Sequence, residues 1–369
     1  MSVTVVPNEL PSSDPDGPEA LGATESSVPL RERFEQLSGP LRLATAVVGA
    51  LVVFGVVMRL KGANPLTAYH DMVTSTFHSW DSIGDILVRA TPIILAALAV
   101  SVPARAGMIN VGGEGQLLMG GIAGMGVSLL LDESLPGGVT LGLMVLAAAV
   151  AGAAWAGLAA VLRQYLGISE SVTTLLLNYV ALDLMYFLIY DRWKDHAGSG
   201  QPTTKALPVA ERLPLLFGRV HAGLLLSVGA VVVIGLAFAL SSWGFRLRVV
   251  GGNAEAARRS GLKVGALLIS AMAVGGALAG IGGLTQLAGA EFKLRSGFIA
   301  GYGYIGFLAS WLGRHRPAAV LVSALLLSAI VIGGDSLQID SSLPAASVNV
   351  LMAVTLLMVF GFGRKKVAA

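Results

Sequence analysis

The chain carries long apolar runs from which charged side chains are almost absent. Hydrophobic residues make up 54% of its 369 residues and charged residues only 13%, and the mean hydropathy is +0.75. A soluble domain has roughly 25% charged residues, about twice this share. Because a helix needs about 20 mostly apolar residues to cross a bilayer, the sequence predicts an all-α, polytopic transmembrane helical bundle.

About ten runs have the length of a membrane span once tilt and broken helices are allowed for. We expect these spans at about 41–58, 84–102, 114–131, 139–162, 171–190, 222–243, 264–287, 298–313, 317–334 and 345–363. Residues 1–38 are rich in Pro, Ser, Gly and acidic residues and lack apolar periodicity. The sequence therefore predicts a disordered cytoplasmic tail, 1–38, followed by one transmembrane domain, 39–369.

Positive residues cluster in short segments between the apolar runs, among them 246–263, 314–316 and 364–366. Such segments lie on the cytoplasmic side of a membrane, so with an even number of spans both termini are expected there. The net charge of +3 is spread over these segments and forms no basic face of the size that a nucleic-acid-binding protein needs. No cysteine occurs and the five histidines are scattered, so we expect no thiolate chemistry and no metal site.

A polar, glycine-rich stretch interrupts two apolar runs at residues 105–119 (RAGMINVGGEGQLLM). It contains Arg105, Asn110, Glu114 and Gln116. A charged side chain at the centre of a bilayer costs roughly 2.5 to 3.5 kcal/mol, and such residues line a wet path or meet a partner. The stretch predicts a broken or re-entrant helix buried in protein or facing a cavity.

Two interpretations of the glycine-rich stretch remain open at this point. Asn110 and Glu114 are four residues apart and would share a helix face, which suits a gate in a translocation path. Alternatively, Glu114 pairs with Arg105 and holds a bent helix in place.

A polar stripe lies inside the expected span 171–190. Ser171, Thr174 and Asn178 are spaced i, i+3 and i+7, which places them on one face of a helix. Such a stripe either hydrogen-bonds neighbouring helices or lines a path, and the sequence does not separate the two. Glu170 is expected to be an ordinary first-turn acid favoured by the helix dipole.

Residues 246–262 contain the signals for one short, capped helix at about 253–260. Asn253 is a good N-cap, Glu255 lies in the first turn, and Gly261 is placed to end the helix. With about seven residues it is too short to span a membrane, so it should lie on the inner surface and dock into another protein. The residues expected to carry this docking are Gly252, Asn253, Ala254, Glu255, Ala256, Ala257, Arg258 and Gly261. The alternative is a solvated turn stabilised by an ion pair between Glu255 and Arg259.

No group of residues suggests an enzyme. No nucleophile, base and metal set converges in the sequence, so we expect no catalytic residues. The chain lacks the Gly-x-x-x-x-Gly-Lys-Ser/Thr phosphate-binding loop and should not hydrolyse ATP itself.

Three segments together resemble the permease subunits of bacterial ABC importers, in the nucleoside branch of the branched-chain amino acid and ribose permease superfamily. Residues 105–116 (RAGMINVGGEGQ) resemble the signature R-A-G-x-F-N-I-G-x-E-G-Q, with Ile109 in place of Phe. Residues 171–179 (SVTTLLLNY) are similar to x-x-T-T-x-M-L-N-Y, and residues 251–257 (GGNAEAA) to the coupling loop G-x-N-P-x-A-A. Residues 301–306 (GYGYIG) are similar to a further segment of the family.

The resemblance implies a function and several partners. It implies a bacterial inner-membrane permease for nucleosides that forms the translocation path with a second, related permease chain. It also implies a cytoplasmic ATPase dimer that binds ATP and Mg²⁺ and receives the helix at 253–260, and an extracytoplasmic substrate-binding lipoprotein. The translocation path is expected to include Arg105, Asn110, Glu114, Gln116, Ser171, Thr174 and Asn178. A ribose- or galactose-type sugar permease and a secondary transporter that needs no ATPase are the alternatives.

Overall fold

The computed structural model describes residues 39–197, 200–299, 301–340, 350–354 and 357–358. Within them the chain is helical apart from turns, loops and one small hairpin. The predicted tail 1–38 and most of the predicted span 345–363 lie outside the described residues.

The helices follow one another with short connections. They are α1 (Gly39–Leu60), α2 (Pro65–Phe77), α3 (Trp80–Ala104), α4 (Gly113–Leu131), α5 (Gly137–Leu166), α6 (Glu170–Phe187), α7 (Gly223–Leu240), α8 (Ser242–Gly252), α9 (Ala254–Arg259), α10 (Val264–Gln286), α11 (Tyr302–Leu312) and α12 (Pro317–Asp340). Single π-helical turns extend α6 through Leu188–Arg192 and α10 through Leu287–Glu291. The loop between α6 and α7 contains a 3₁₀ turn at Val209–Glu211 and an antiparallel hairpin of β1 (Leu215–Phe217) and β2 (Val220–His221).

Seven helices in the described part of the chain are long and apolar enough to cross a membrane, which makes it a multi-pass membrane protein. An eighth span arises if the pair of α1 and α2, which is bent by 118°, is counted as one. The bend has a local cause, because the Asn64 side chain caps α2 and Pro65 begins it. The count of about ten is therefore not confirmed.

The prediction of a span at 298–313 is wrong. The helix there, α11, has 11 residues, which corresponds to a length of about 16 Å, or half the hydrocarbon core. Gly301 precedes it in the left-handed conformation, and Arg314 and His315 follow it with φ of 51° and 56°. The apolar run is long enough for a span, but the turns at both ends limit the helix to Tyr302–Leu312.

Helix α3 lies at the centre of the bundle, and 83% of its most apolar stretch is buried. Helix α10 packs against both α3 and α5 along stripes of small residues. A Cβ atom added at Gly152 of α5 would overlap with the carbonyl oxygen of Gly276, and one at Gly276 would overlap with Gly152 in return. The small-xxx-small patterns of α5 and α10 are thus packing surfaces that let the two backbones touch.

Candidate functional site

Residues 105–112, which we name the connector, join α3 to α4 without helical structure. Gly107 takes a positive φ of 77°, which lets the chain leave the axis of α3. Ala106, Met108 and Asn110 are buried among the helices. The predicted break is therefore present, and its irregular backbone is buried in protein as the membrane environment requires.

Asn110 is fully buried and organises the connector from within. Its amide nitrogen donates to the carbonyl oxygen of Ala99 in α3 and to Oε1 of Gln116, each at 3.0 Å. Its amide oxygen accepts from the backbone N–H of Gly112 at 3.0 Å and from Nε2 of Gln116 at 2.9 Å. Three of these bonds tie the connector to the two helices it joins, and the fourth lies within the connector. Asn110 and Gln116 thus form one reciprocal amide pair.

Helix α6 also holds the connector in place through side-chain hydrogen bonds. Thr174 Oγ1 accepts from the backbone N–H of Val111 at 3.1 Å. Asn178 donates to the carbonyl oxygen of Val111 at 3.1 Å, and its Oδ1 accepts from Gly115 N–H at 2.8 Å. The buried part of the polar stripe therefore hydrogen-bonds neighbouring backbone, while Ser171, one turn earlier, is half-buried.

Glu114 does not pair with Arg105, and it does not share a helix face with Asn110, because α4 begins only at Gly113. Its carboxylate accepts from the backbone N–H groups of Gly301 at 2.9 Å and Gly303 at 2.7 Å. Both lie at the start of α11, where the helix dipole favours a negative charge. Glu114 thus fixes the N-terminus of the short helix to the first turn of α4.

The segment 301–306 contacts the stripe of α6 as well. The amide nitrogen of Asn178 lies 3.3 Å from the hydroxyl of Tyr304. The sequence motifs around residues 110, 174 and 303 therefore converge on one buried polar centre. Whether this centre lines the translocation path stays a prediction.

Glu170 has a larger role than the sequence suggested. Its side chain is buried, accepts from the backbone N–H of Ile109 at 3.1 Å, and forms an ion pair with Arg163 at the end of α5. The sequence signal for this role was the acidic Glu170 just after the end of α5, seven residues after Arg163.

Arg105 lies at the start of the connector, away from Asn110. Its guanidinium group lies 4.7 Å from the centre of the Phe238 ring, a cation–π contact. His315 follows α11 nearby, and its Nδ1 lies 2.9 Å from Ser310 Oγ. Burial, together with the positive charge of Arg105, lowers the pKa of His315 to about 4, so this imidazole is neutral at pH 7.

Helix α9 forms where the capping pattern predicts a helix. Asn253 Oδ1 accepts from the N–H of Ala256 at 2.9 Å. The Glu255 carboxylate accepts from Arg258 at 2.7 Å and from Arg259 at 3.2 Å, and Gly261 follows with φ of 82°. The helix and the predicted ion pair therefore coexist.

The face of α9 that is free to meet a partner differs from the expected one. Ala257 is fully buried against the chain's own core, whereas Ala254, Glu255 and Ala256 are exposed. Ala254 and Ala257 were both expected among the residues that carry the docking. Because Ala257 anchors the helix to the bundle, the surface available to another protein is the opposite one.

Helix α8 connects α9 to the connector by direct backbone contact. A Cβ atom added at Gly251 would overlap with the carbonyl oxygen of Arg105, and one at Gly107 would lie 3.6 Å from Gly251 Cα. Gly252, the next residue, has open space around it. Only a glycine at position 251 therefore permits this approach, and sequence patterns alone did not distinguish the two glycines.

Comparison with known proteins identifies the family. The family model described as "Branched-chain amino acid transport system / permease component" matches residues 82–360. A glucose ABC transporter permease of Haloferax volcanii is 37% identical over 84% of this chain and 84% of that protein. A guanosine ABC transporter permease of Bacillus subtilis is 28% identical over 89% of this chain and 94% of that protein. A nucleoside ABC transporter permease of Lactococcus lactis is 29% identical, with 85% and 88% covered.

The matched region contains the connector, the polar stripe of α6 and helix α9, which are the segments that carried the resemblance in the sequence. Since the family model covers well over half of the chain, the chain belongs to the permease component family of branched-chain amino acid type ABC transport systems.

Proposed function

We propose that this chain is the permease subunit of an ATP-driven importer that moves nucleosides inward. The observation that carries the proposal is the contact between Gly251 and Arg105, which joins an exposed surface helix to a buried polar break in the bundle. Such a connection gives a partner bound at the surface a route by which to move the break. The nucleoside and guanosine permeases among the relatives support the substrate class.

A neutral sugar is the second candidate substrate. It is favoured by the relative with 37% identity, which is named a glucose permease. Nucleosides and hexoses are both polyhydroxylated and uncharged, so a path lined by amides and hydroxyls suits either. Ser171, which is half-buried, is the side chain of that kind that we assign to the path surface, and Gln116 and Asn178 hold the buried polar centre behind it.

In this proposal ATP and Mg²⁺ are bound by a separate cytoplasmic ATPase dimer. The exposed face of α9, with Ala254 and Ala256, docks into the ATPase. Closure of the ATPase moves α9 and α8 together, because Ala257 and Gly251 attach them to the bundle. The displacement reaches the connector at Arg105 and changes the position of Asn110 between α3 and α4.

A second permease chain completes the path. Bacillus subtilis and Lactococcus lactis each have two guanosine or nucleoside ABC permeases similar to this chain, which supports a pair of related subunits. An extracytoplasmic binding lipoprotein delivers the substrate, and the site of action is the bacterial inner membrane with both termini in the cytoplasm.

Uptake of labelled nucleosides and labelled hexoses in the native cell tests the proposal. Wild type and a deletion of this chain are compared before and after ATP depletion, with the proton gradient maintained. We expect nucleoside uptake to disappear on deletion and on ATP depletion. Loss of hexose uptake alone would show that the substrate is a sugar. Flux that continues without ATP would contradict the proposal that an ATPase drives transport.

The docking face is tested separately with Ala254→Glu and Ala256→Glu. Each places a new charge on the exposed side of α9 and should leave membrane insertion unchanged while the ATPase no longer co-purifies with the tagged permease. Ala206→Glu, at an exposed position in the loop between α6 and α7, is the control. Normal ATPase recovery and uptake in both α9 variants would contradict docking through this face.

A further inference from the structure

A basic groove lies between the end of α8 and the beginning of α10. Its volume is about 530 Å³, within the range of sites that hold small molecules. It is lined by Arg246, Leu262, Lys263, Ala266, Leu267 and Ser270. Nothing in the transport cycle described above uses these side chains.

Two positive charges in the groove lack counter-charges. Arg246 and Lys263 are exposed, and within the described part of the chain neither forms an ion pair or a side-chain hydrogen bond. The neighbouring arginines of α9 differ, because both are paired with Glu255. The groove therefore presents a site for an anion that the chain itself does not supply.

The rest of the groove is apolar and runs along a membrane span. Ala266, Leu267 and Ser270 belong to the first two turns of α10, a helix long enough to cross the bilayer. The hydroxyl of Ser270, which lines the groove, accepts from the Trp243 indole N–H at 3.0 Å. Tryptophan is enriched where a membrane meets water, so this end of the groove has the character of the interface.

The surface beside the groove has the character of a lipid-facing one. Leu240 and Phe245, just before Arg246, are 80% and 63% exposed. Large apolar side chains that are exposed beside a membrane-spanning helix contact hydrocarbon. A soluble partner contacts only the part of the surface that lies outside the membrane. Two cations without counter-charges and the apolar walls of the same groove match the head group and the acyl chain of an anionic lipid.

We propose that this groove binds one anionic phospholipid, with its phosphate between Arg246 and Lys263 and an acyl chain along Leu262 and Leu267. The guanidinium group of Arg246 offers a planar pair of donors to the phosphate, and the Lys263 ammonium adds a point charge. Gly261, which ends α9, also lines the groove.

The test uses the full chain purified in detergent together with any subunits that accompany it. Retained phospholipid is counted by native mass spectrometry after addition of phosphatidylglycerol or phosphatidylcholine, for wild type and for Arg246→Gln/Lys263→Gln. The control is Arg258→Gln/Arg259→Gln, which removes the same charge from the same surface outside the groove. We expect wild type and control to retain one phosphatidylglycerol, and the groove variant to bind it about tenfold more weakly.

Several results would overturn the proposal. Equal loss of phosphatidylglycerol in the control would show a general charge effect, and equal retention of phosphatidylcholine would show that the charge of the lipid is irrelevant. Inorganic phosphate that competes at the affinity of the lipid would assign the site to a free anion. Unchanged lipid retention with loss of the ATPase would assign the groove to a protein surface. Thermal unfolding of each variant verifies that the chain is folded.

Discussion

The connector and helix α9 are both short polar segments between apolar helices, yet they are stabilised in opposite ways. Helix α9 is stabilised by its own neighbours, with Asn253 as cap and Glu255 paired to the arginines that follow it. The connector depends on residues far away in sequence, since Val111 is held by Thr174 and Asn178 of α6.

The difference has a physical cause. Helix α9 is largely exposed, so water satisfies whatever backbone groups the caps do not. The connector is buried, where each unpaired backbone group is costly, so side chains of α6 and the connector's own Asn110 supply its hydrogen bonds. Local signals are sufficient for the first segment and insufficient for the second. Four experiments test this contrast.

The largest effect is expected from removing the same side chain in both regions. Asn110→Ala leaves the Ala99 carbonyl, the Gly112 N–H and the Gln116 amide unpaired in a buried site, at about 1 to 3 kcal/mol each. Asn253→Ala removes one exposed cap, worth about 1 kcal/mol locally. Thermal unfolding in detergent should show a large decrease for Asn110→Ala and almost none for Asn253→Ala. Equal decreases would contradict the contrast.

The next effect tests the link between the two regions. Gly251→Ala places a Cβ against the carbonyl of Arg105, and such overpacking costs about 1 to 3 kcal/mol. We expect it to displace α8 from the connector and to lower uptake about tenfold with the subunits still assembled. Gly252→Ala, in open space, is the matched control: it adds the same methyl group without touching Arg105, so its loss of uptake should be much smaller. If both variants behave alike, the backbone contact is not the route of coupling.

A smaller effect distinguishes packing from path-lining within the stripe of α6. Thr174→Val keeps the shape of the side chain but leaves the N–H of Val111 without its acceptor, which should destabilise the protein by about 1 to 3 kcal/mol. Ser171→Ala changes a half-buried residue and should leave the unfolding temperature unchanged. If Ser171 lines the path, this second variant alters uptake alone. The reverse pattern would exchange the two assignments.

The smallest effect is a dependence of stability on pH. Burial lowers the pKa of both His221 and His315 to about 4, well below the ordinary value of about 6.5. A buried neutral imidazole disfavours protonation, so the stability it contributes is complete above pH 6.5 and is lost as the pH falls towards 4. Thermal unfolding between pH 7 and pH 4.5 should show this decline, and His221→Gln/His315→Gln should reduce it. A decline of the same size in the variant would assign it to other groups.

Much of the fold followed from the sequence because long apolar runs and helix caps are local signals. The spans α3 to α7 and α10 were predicted within a few residues, as was the helix after Asn253. The failure at 298–313, where the structure has the short helix α11, occurs where a few turn residues interrupt an apolar run of sufficient length, and α2 was not predicted as a helix. Composition measures the length of such a run and does not register where its backbone turns.

The sequence by itself determined that this protein is a helical membrane permease whose candidate functional residues lie in three segments. Only the tertiary structure decided what those residues contact: that Glu114 binds the start of α11, that Glu170 holds Ile109, and that Ala257 faces inward. The reason is that the spacing of side chains determines which face of a helix they share. The hydrogen-bond partner of each side chain depends on which other segment of the folded chain lies within hydrogen-bonding distance. Gly251 and Gly252 are identical in sequence terms, and the position of Arg105 alone makes them different.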